Sequence, residues 1–456
     1  MTNGGKKASL LLFIGDILVF AFSLWLTLLI RYAAWPGAEL LQPYFTPFAV
    51  LFAAWVAVFF INGLYDPRIA TFKSRLPDVI VKTQLLNIVL AALFFFAIPG
   101  FGITPKTILA LYLVISLILI FLWRYSLFTA VAGRRAPQAI VIIGSGPEVE
   151  ELVAATAAHA RFGIECREVI DPATVTSAEL PARLAALRAE GVHLLVVDTA
   201  HDAARTLLPA VYRTAFEGDG LAFTEFSTLY ENVFDRVPLS LLRYEWFLKN
   251  LSRPASNFYL FGKRLLDIAG GLVMGLITVA VTPFLWLAVK IEDGGPLFIS
   301  QERIGQYGRH MKVYKFRSMR AHDQASGEWT TEGKNEVTRT GRFLRVTSLD
   351  EFPQFVNVLA GEISLIGPRN DILGLGIRLS EAISYYEVRY IVKPGITGWA
   401  QINQRYEPGH ISPQSVEETK LRLAYDFYYI KNRSFGLDII IALRTVKRMF
   451  FRMSAV

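Results

Sequence analysis

Two adjacent carboxylates, Asp350 and Glu351, stand between a basic stretch and a turn-like run that ends at Arg369. Phosphoryl chemistry with a divalent metal needs this combination, because an anionic substrate, a cation and a nucleophile must meet in one place. An Asp-Glu pair without context is usually a solvated helix start, where acids favour the helix dipole. The residues around the pair therefore decide which interpretation holds.

Basic residues cluster on both sides of the pair. The cluster comprises Arg303, Arg309, Lys312, Lys315, Arg317, Arg320, Arg339, Arg342, Arg345 and Arg369. They are spaced among aromatic and small residues rather than along one helical stripe, although the alternation at 313–317 also suits an ordinary amphipathic strand. Several guanidinium groups beside an acidic pair can hold a diphosphate while a carboxylate attacks it. This arrangement favours a phosphorylated substrate and argues against nucleic acid.

The composition indicates a membrane protein. Hydrophobic residues make up 53% of the chain and charged residues only 19%, which exceeds the apolar content of a soluble globular domain. The net charge of +8 suits anionic lipid headgroups or phosphorylated substrates. A single cysteine, Cys166, excludes an intramolecular disulfide and a multi-cysteine metal site.

Four apolar runs at the start of the chain predict four transmembrane helices. Each is close to the roughly 20 residues that cross a bilayer. The runs are Ala8–Ile30, Phe45–Ile61, Leu85–Phe101 and Ile108–Trp123. Lysine and arginine concentrate on one side of them, which places the N-terminus and everything after Trp123 in the cytoplasm. We expect Asp16, inside the first run, to be structural.

Strand and helix patterns alternate after residue 134. Strands are predicted at 139–143, 163–170 and 194–198, with helices at 148–160 and 180–190, which indicates a small parallel α/β domain. Gly144 and Gly146 lie between a strand and a helix, like half of a dinucleotide fingerprint, but Val149 occupies the third glycine position. Nucleotide binding stays open, and a regulatory or structural Rossmann-like module is favoured.

A further membrane element is predicted from Leu265 to Ile291, and Thr282-Pro283 interrupts it. Proline removes a backbone donor and disfavours helical geometry before it, so we expect a bend there. A full crossing would put the basic C-terminal part outside. A re-entrant helix that enters and leaves by the cytoplasmic face avoids this, while an ordinary fifth span with a kink is the alternative.

The motifs of the C-terminal part resemble the bacterial sugar transferases, the monotopic phosphoglycosyl transferases that begin exopolysaccharide or O-antigen synthesis. The matching motifs are Lys263-Arg-x-x-Asp267, Gly295–Gly305, Tyr314–Met319, Thr347–Gln354, Asn357–Leu359, Ser364–Arg369 and Val392–Gln401. With four N-terminal spans and a Rossmann-like module, the chain resembles the long members, the polyprenyl-phosphate hexose-1-phosphate transferases.

The resemblance implies transfer of a sugar 1-phosphate from a UDP-sugar to undecaprenyl phosphate, with release of UMP. Asp350 matches the family's nucleophile, which forms a covalent phospho-sugar intermediate, and Glu351 matches the residue that binds Mg²⁺. Lys315, Arg345 and Arg369 match positions that bind phosphate or uridine groups in the family, so the resemblance implies the same role for them here. From the basic cluster we add Arg303 and Arg317 to the predicted substrate-binding set. Asn370 and Asp371 depart from the family, in which a proline commonly follows Gly-Pro-Arg.

The predicted fold is therefore a membrane protein of three domains. Residues 1–133 form an α-helical four-helix transmembrane bundle, 134–255 an α/β Rossmann-like domain, and 256–456 an α-rich monotopic catalytic domain with the re-entrant helix 265–291, broken at Thr282 and Pro283. The run 437–451 is predicted to be an interfacial amphipathic helix, with a buried helix as the alternative. We expect a multi-pass protein of the bacterial inner membrane with its catalytic domain on the cytoplasmic face. Expected partners are a UDP-sugar, undecaprenyl phosphate and lipid, and family analogy favours a homodimer.

Two other functions are compatible with parts of the sequence. A transport-associated or scaffold protein with a regulatory cytoplasmic domain would normally carry several ionisable residues in its spans, where Asp16 stands almost alone. A nucleotide-sugar dehydratase or epimerase that uses the Gly144 loop would need a fuller glycine fingerprint and a catalytic Tyr/Lys pair in the same domain. Both are disfavoured.

Overall fold

The computed structural model describes residues 3–62, 64–65, 76–97, 106–132, 137–158, 163–216, 221–252, 255–320, 337–404 and 413–453. Most of these residues are helical. The chain divides into two compact units, Met1–Val233 and Phe234–Val456. The predicted boundaries at 133/134 and 255/256 stay predictions.

Long apolar helices open the first unit. They are α1 (Asn3–Tyr32), α2 (Ala38–Ile61), α3 (Leu76–Ala97) and α4 (Lys106–Ala132). Each contains a stretch long and apolar enough to cross a membrane, and the four predicted spans fall on them. The end of the third predicted span, residues 98–101, lies outside the described residues. Large aromatic side chains, Phe20, Phe48, Trp55 and Phe59, fill the core between these helices.

A buried ion pair joins α1 to α4. Asp16 pairs with Arg124, and both side chains are almost fully buried. Arg124 also donates to the carbonyl oxygen of Leu64 at 2.5 Å. The charge that stood alone in the sequence of the first span therefore has its counterion on another helix.

A parallel sheet follows α4 in the chain, as the alternating pattern predicts. Its strands and the helices around them are β1 (Gln138–Ile143), α5 (Pro147–Ala158), β2 (Ile164–Ile170), α6 (Leu180–Ala189), β3 (Leu194–Val197), α7 (Asp202–Phe216), β4 (Ala222–Glu225) and α8 (Phe226–Phe234). The strand order is β2-β1-β3-β4, and all neighbours are parallel. Between β1 and α5, Gly146 adopts φ +114°, a conformation that favours glycine.

The second unit is helical with two small sheets. Its elements are α9 (Tyr244–Leu251), α10 (Asn257–Glu292), β5 (Phe298–Ile304), β6 (His310–Phe316), α11 (Arg339–Thr347), α12 (Phe355–Ala360), β7 (Ser364–Ile366), α13 (Leu373–Ala382), β8 (Gly395–Thr397), α14 (Trp399–Asn403), α15 (Val416–Asn432) and α16 (Phe435–Met453). Strands β5 and β6 form an antiparallel hairpin, whereas β7 and β8 pair in parallel. The core includes Ile366, Tyr386, Phe427 and Ile441.

Helix α10 contacts the rest of this unit near both of its ends. Near its start, Arg264 donates to the carbonyl oxygens of Val358 and Leu359 at 2.8 and 2.6 Å. At its end, Glu292 accepts from the backbone nitrogens of Arg339 and Thr340, the first residues of α11, at 2.5 and 3.0 Å. The opposite side exposes large apolar residues, among them Phe261, Leu272, Leu276, Val279, Phe284 and Ile291.

The helix runs through Pro283 without a break in its assigned length of 36 residues. Thr282 donates its hydroxyl to the carbonyl oxygen of Thr278 at 2.6 Å, and Thr278 does the same to Met274 at 2.8 Å. Such back-bonding satisfies the hydroxyls inside an apolar helix. The predicted segment 265–291 lies entirely within α10.

Helix α16 covers the predicted C-terminal run. Leu437 and Ile441 are buried in the core of the second unit, while Leu443 and Val446 are exposed. Arg444 donates to the Asn403 side chain at 3.2 Å. The helix thus combines features of both alternatives, since one face is buried in the unit and another exposes apolar side chains.

Candidate active site

The acidic pair lies at the first turn of a 3₁₀ helix, Leu349–Gln354. Helix α11 precedes it and ends at Thr347, and the next residue, Ser348, has a left-handed φ of 57° that redirects the chain. Thr338 caps the start of α11, where its hydroxyl accepts from the Gly341 nitrogen at 2.8 Å. Two short helices meeting at a sharp turn therefore fix where Asp350 and Glu351 lie.

Glu351 is held by two cations that come from different parts of the chain. Its Oε1 lies 3.1 Å from Nζ of Lys315 on β6 and 2.6 Å from Nη2 of Arg369, which follows β7. All three side chains are largely buried, with exposures of 15%, 14% and 29% for Glu351, Lys315 and Arg369. Burial would raise the pKa of Glu351, but Arg369 and Lys315 outweigh it and hold this pKa well below its ordinary value. Glu351 is thus ionised throughout the physiological pH range.

Asp350 behaves in the opposite way. Burial and the neighbouring Glu351 raise its pKa above the ordinary value, and Lys315, Arg369 and Arg345 offset only part of that effect. Adjacent carboxylates whose pKa values are driven apart take different chemical roles. One is a permanently charged partner of the cations, and the other is a partly desolvated, more basic carboxylate.

The remaining predicted basic residues are distributed unevenly. Arg345 lies close enough to lower the pKa of Asp350, and its Nε donates to the Ser318 hydroxyl at 3.3 Å. Arg303 is buried and donates to the Gln301 side chain at 2.7 Å; burial and the nearby Arg369 lower its pKa to about 10. Both arginines therefore lie near the acidic pair, close enough for electrostatic interaction with it.

Arg317 is placed elsewhere. It pairs with Asp293 at the end of α10, and its guanidinium packs against Gly295, where a side chain would overlap it. The structure therefore brings Lys315, Arg345, Arg369 and Arg303 around the acidic pair but gives Arg317 a different partner. Thr282 and Pro283 lie within α10.

A buried charged group behind Arg369 was missed by the sequence analysis. It consists of Asp371, Tyr386, Arg389, Arg422 and Asp426. The sequence marks Asp371 only as a departure from the family pattern. A signal was nevertheless present, because Asp426 interrupts the apolar run 423–430 of α15, where a lone charge requires a buried partner.

The donor set fits a magnesium ion that is bound mainly through a substrate. Among the described residues, no group of three or more His, Cys, Asp and Glu side chains could hold a metal. Mg²⁺ is usually bound by one or two carboxylates together with phosphate oxygens. Oε2 of Glu351 accepts one long hydrogen bond, from Nη1 of Arg369 at 3.4 Å, and its second lone pair retains capacity for a cation.

Comparison with known proteins gives matches to this second unit. The family described as "Bacterial sugar transferase" matches residues 258–452. The chain is 35% identical over 189 residues to "Exopolysaccharide production protein PSS" of Rhizobium leguminosarum bv. phaseoli. The aligned region covers 40% of this chain and 92% of that protein.

Two relatives with more specific names match over a similar length. A "UDP-glucose:undecaprenyl-phosphate glucose-1-phosphate transferase" of Escherichia coli (strain K12) is 40% identical over 199 residues, or 42% of each chain. A "UDP-N-acetylgalactosamine-undecaprenyl-phosphate N-acetylgalactosaminephosphotransferase" of Aeromonas hydrophila is 37% identical over 197 residues, 42% of this chain and 44% of that protein. The aligned region spans less than half the length of these two relatives.

Proposed function

Since the chain belongs to the bacterial sugar transferase family, we propose that it transfers a sugar 1-phosphate from a UDP-sugar to undecaprenyl phosphate and releases UMP. The observation that carries this proposal is the grouping of Asp350 and Glu351 with Lys315 and Arg369. Two of the relatives carry names that state this kind of transfer. The same motif-bearing residues form the site and lie inside the matched region.

The proposed chemistry proceeds by two displacements at one phosphorus. A carboxylate oxygen of Asp350 attacks the sugar-bearing phosphorus, the bond to the UMP oxygen breaks, and an acyl phosphate forms. A phosphate oxygen of undecaprenyl phosphate then bonds to the same phosphorus, and the Asp350 carboxylate leaves. Lys315 and Arg369 offset the charge that accumulates on the phosphate oxygens. The raised pKa of Asp350 suits a nucleophile, because a more basic carboxylate attacks more readily.

Glu351 would hold Mg²⁺ through its Oε2, with phosphate oxygens as the other ligands. The ion, when bound, supplies positive charge that reduces repulsion between a carboxylate and a diphosphate. Lys315 and Arg369 orient Glu351 for this role through its Oε1.

We propose that α10 enters and leaves the membrane on the same side. A 36-residue helix is about 54 Å long, above the roughly 30 Å of hydrocarbon that a spanning helix must cross, so a same-side path needs a bend in the helix axis. Pro283 would supply this bend while the chain stays helical. Its start and its end both contact the same catalytic unit, through Arg264 and through Glu292. A helix that crossed the bilayer fully would carry one end away from that unit. The exposed apolar side of α10 then faces the lipid of one leaflet, where the acceptor phosphate lies.

The remaining parts of the proposal concern the first unit. Helices α1 to α4 would form a four-helix transmembrane domain, and the β2-β1-β3-β4 sheet a Rossmann-like domain. With the basic residues on one side of the spans, both the Rossmann-like domain and the catalytic site face the cytoplasm at the bacterial inner membrane. A homodimer stays a prediction.

The test is incubation of membranes containing the protein with radiolabelled UDP-sugars and undecaprenyl phosphate. UMP release and a labelled lipid are expected for at least one UDP-sugar, and Asp350→Asn should abolish both. Without the acceptor lipid, a radiolabelled, hydroxylamine-sensitive protein adduct should form in the parent protein and not in the variant. Glu302→Gln, an exposed acid on β5, is the matched control and should retain activity. Undiminished transfer in Asp350→Asn would overturn the nucleophile assignment, and no transfer with any UDP-sugar would overturn the function.

A further inference from the structure

The loop that carries Arg369, residues 366–371, is held through its backbone carbonyl groups. We call it the Arg369 loop. Lys263 donates to the carbonyl oxygen of Ile366 at 2.9 Å, Arg389 to that of Arg369 at 2.8 Å, and Arg303 to that of Asn370 at 3.3 Å. The three cations come from α10, from the 3₁₀ helix Tyr386–Ile391 and from β5. The loop is therefore fixed from several sides by elements that are distant in sequence.

We infer that Arg389 is a positioning residue for the transfer reaction, because it fixes the backbone of the residue whose side chain holds Glu351. The inference rests on the proposed function. Arg389 bonds the Arg369 carbonyl oxygen, and the Arg369 guanidinium lies 2.6 Å from Oε1 of Glu351. A shift of this backbone would move the guanidinium away from the acidic pair.

The position of the Arg389 side chain is itself fixed by several contacts. It is 1% exposed, pairs with Asp371, and donates through Nε and Nη2 to Oδ2 of Asp426 at 3.0 and 2.8 Å. Its Nη1 also lies 3.1 Å from the Tyr386 hydroxyl oxygen. A planar guanidinium can serve these partners and the carbonyl oxygen at once, which a point-like ammonium group cannot.

The charges behind the loop balance. Arg422 donates to Asp371 at 2.7 Å, so two arginines face two aspartates in this buried group. Burial would raise the pKa of Asp371, but Arg389 and Arg422 outweigh it and keep this pKa well below its ordinary value. Apart from the two carboxylates themselves, the charges that act most on the acidic pair are Lys315, Arg369 and Arg345, and none of them belongs to this group. The contribution of Arg389 is therefore geometric, and a substitution that keeps its charge can test it.

The decisive experiment is a double-mutant cycle in the full-length protein. Arg389→Lys keeps the positive charge but loses the planar guanidinium group that contacts several partners at once. It should lower kcat/KM at least tenfold per folded molecule. Combined with Arg369→Lys, it should cause no further loss beyond about twofold, since Arg389 acts through Arg369. Multiplicative losses in the double variant would overturn the inference, because they mean that the two residues act separately.

Two further variants separate positioning from general destabilisation. Thr419→Ala removes a buried hydroxyl on the helix that carries Asp426, where it donates to the Ser415 carbonyl oxygen at 2.8 Å. It should lower the melting temperature and leave kcat unchanged per folded molecule. If Arg389→Lys does not fold, Tyr386→Phe replaces it: loss of the hydroxyl that contacts Arg389 should give a smaller decrease that again vanishes in the Arg369→Lys background.

A structure of the Arg389→Lys or Tyr386→Phe variant tests the inference without relying on activity. The Arg369 guanidinium should be displaced from Glu351, and an unchanged contact would refute the positioning role. If the parent protein transfers no sugar phosphate from any UDP-sugar, the proposed function fails, while this structural comparison still decides whether Arg389 positions Arg369.

Discussion

Arg369 and Glu351 form a two-point contact, with Nη2 2.6 Å from Oε1 and Nη1 3.4 Å from Oε2. One residue follows β7 and the other lies in the 3₁₀ helix after α11, 18 positions earlier. The contact joins the loop behind the site to the turn that carries Asp350. It therefore links the geometry of the acidic pair to the position of that loop.

Replacing Arg369 with lysine should weaken this connection. Lysine keeps the charge but lacks the planar fork, so it cannot hold both oxygens of Glu351, and we expect kcat/KM to fall about 10- to 100-fold. Steady-state UMP release measures the effect. Arg309→Lys, an exposed arginine in the same unit, is the control and should behave like the parent. Equal activity of both variants would contradict the role given to Arg369.

The pH dependence should report the ionisation of Asp350. The groups that act on it are Glu351, which raises its pKa, and Lys315, Arg369 and Arg345, which lower it. The proposed nucleophile must be ionised, so activity should be lost as pH falls through the raised pKa of Asp350. Arg345→Met removes one of the groups that lower this pKa, and the acid limb of kcat/KM should therefore move to higher pH.

The control for this shift is Arg342→Met, which changes an exposed arginine on the same helix, α11. Its acid limb should coincide with that of the parent. A limb that moves to lower pH in Arg345→Met, or moves equally in both variants, would refute the assignment.

The packing of α10 onto the catalytic unit depends on small residues. A side chain at Gly275 would begin 2.9 Å from the Phe355 ring, and one at Gly271 would begin 3.0 Å from Leu359. Gly275→Leu should therefore cost about 1–3 kcal/mol through overpacking and should also lower activity, since α12 directly follows the helix that bears the acidic pair. Thermal unfolding in detergent measures the first effect and UMP release the second.

Leu276→Ala gives the matched control on the next position of α10, where the side chain is 73% exposed. In detergent it should melt close to the parent. Similar destabilisation by both changes would mean that the glycine contact is unimportant.

The ion pair between Asp16 and Arg124 should stabilise the apolar helices of the first unit. Arg124→Leu leaves a buried carboxylate without its cation and should lower the free energy of unfolding by about 3–5 kcal/mol. The double change with Asp16→Leu should recover most of the loss, because neither charge then remains buried alone. Thermal unfolding in detergent would show this, and a double variant less stable than Arg124→Leu would contradict it.

Much of this architecture was readable from local patterns. Apolar runs of about 20 residues predict membrane helices because the bilayer imposes a minimum length, and α1 to α4 cover the predicted spans. Alternating β-branched and amphipathic segments predict a parallel sheet, and β1, β2 and β3 lie where they were expected. The motifs around Asp350 and Glu351 likewise indicated phosphate chemistry, since several guanidinium groups beside a carboxylate pair can hold a diphosphate.

The ion-pair partner of each charged residue could not be predicted from the sequence, because residues that pair across the fold are not separated by a characteristic number of positions. Lys315 and Arg317 are two residues apart on or beside the same strand, yet the first holds Glu351 and the second pairs with Asp293. Asp371 was seen only as a departure from a motif, although it is the buried counterion of two arginines.

The sequence by itself therefore determined the candidate residues for the chemistry and the segments that are apolar enough for a membrane, because composition and spacing are local properties of the chain. Only the tertiary structure decided that Glu351 is bound by Lys315 and Arg369, and that Arg389 bonds the backbone of Arg369. The physical reason is that burial and ion pairing depend on distances between elements far apart in sequence. Those distances set the opposite pKa shifts of two neighbouring carboxylates, which chain adjacency alone does not reveal.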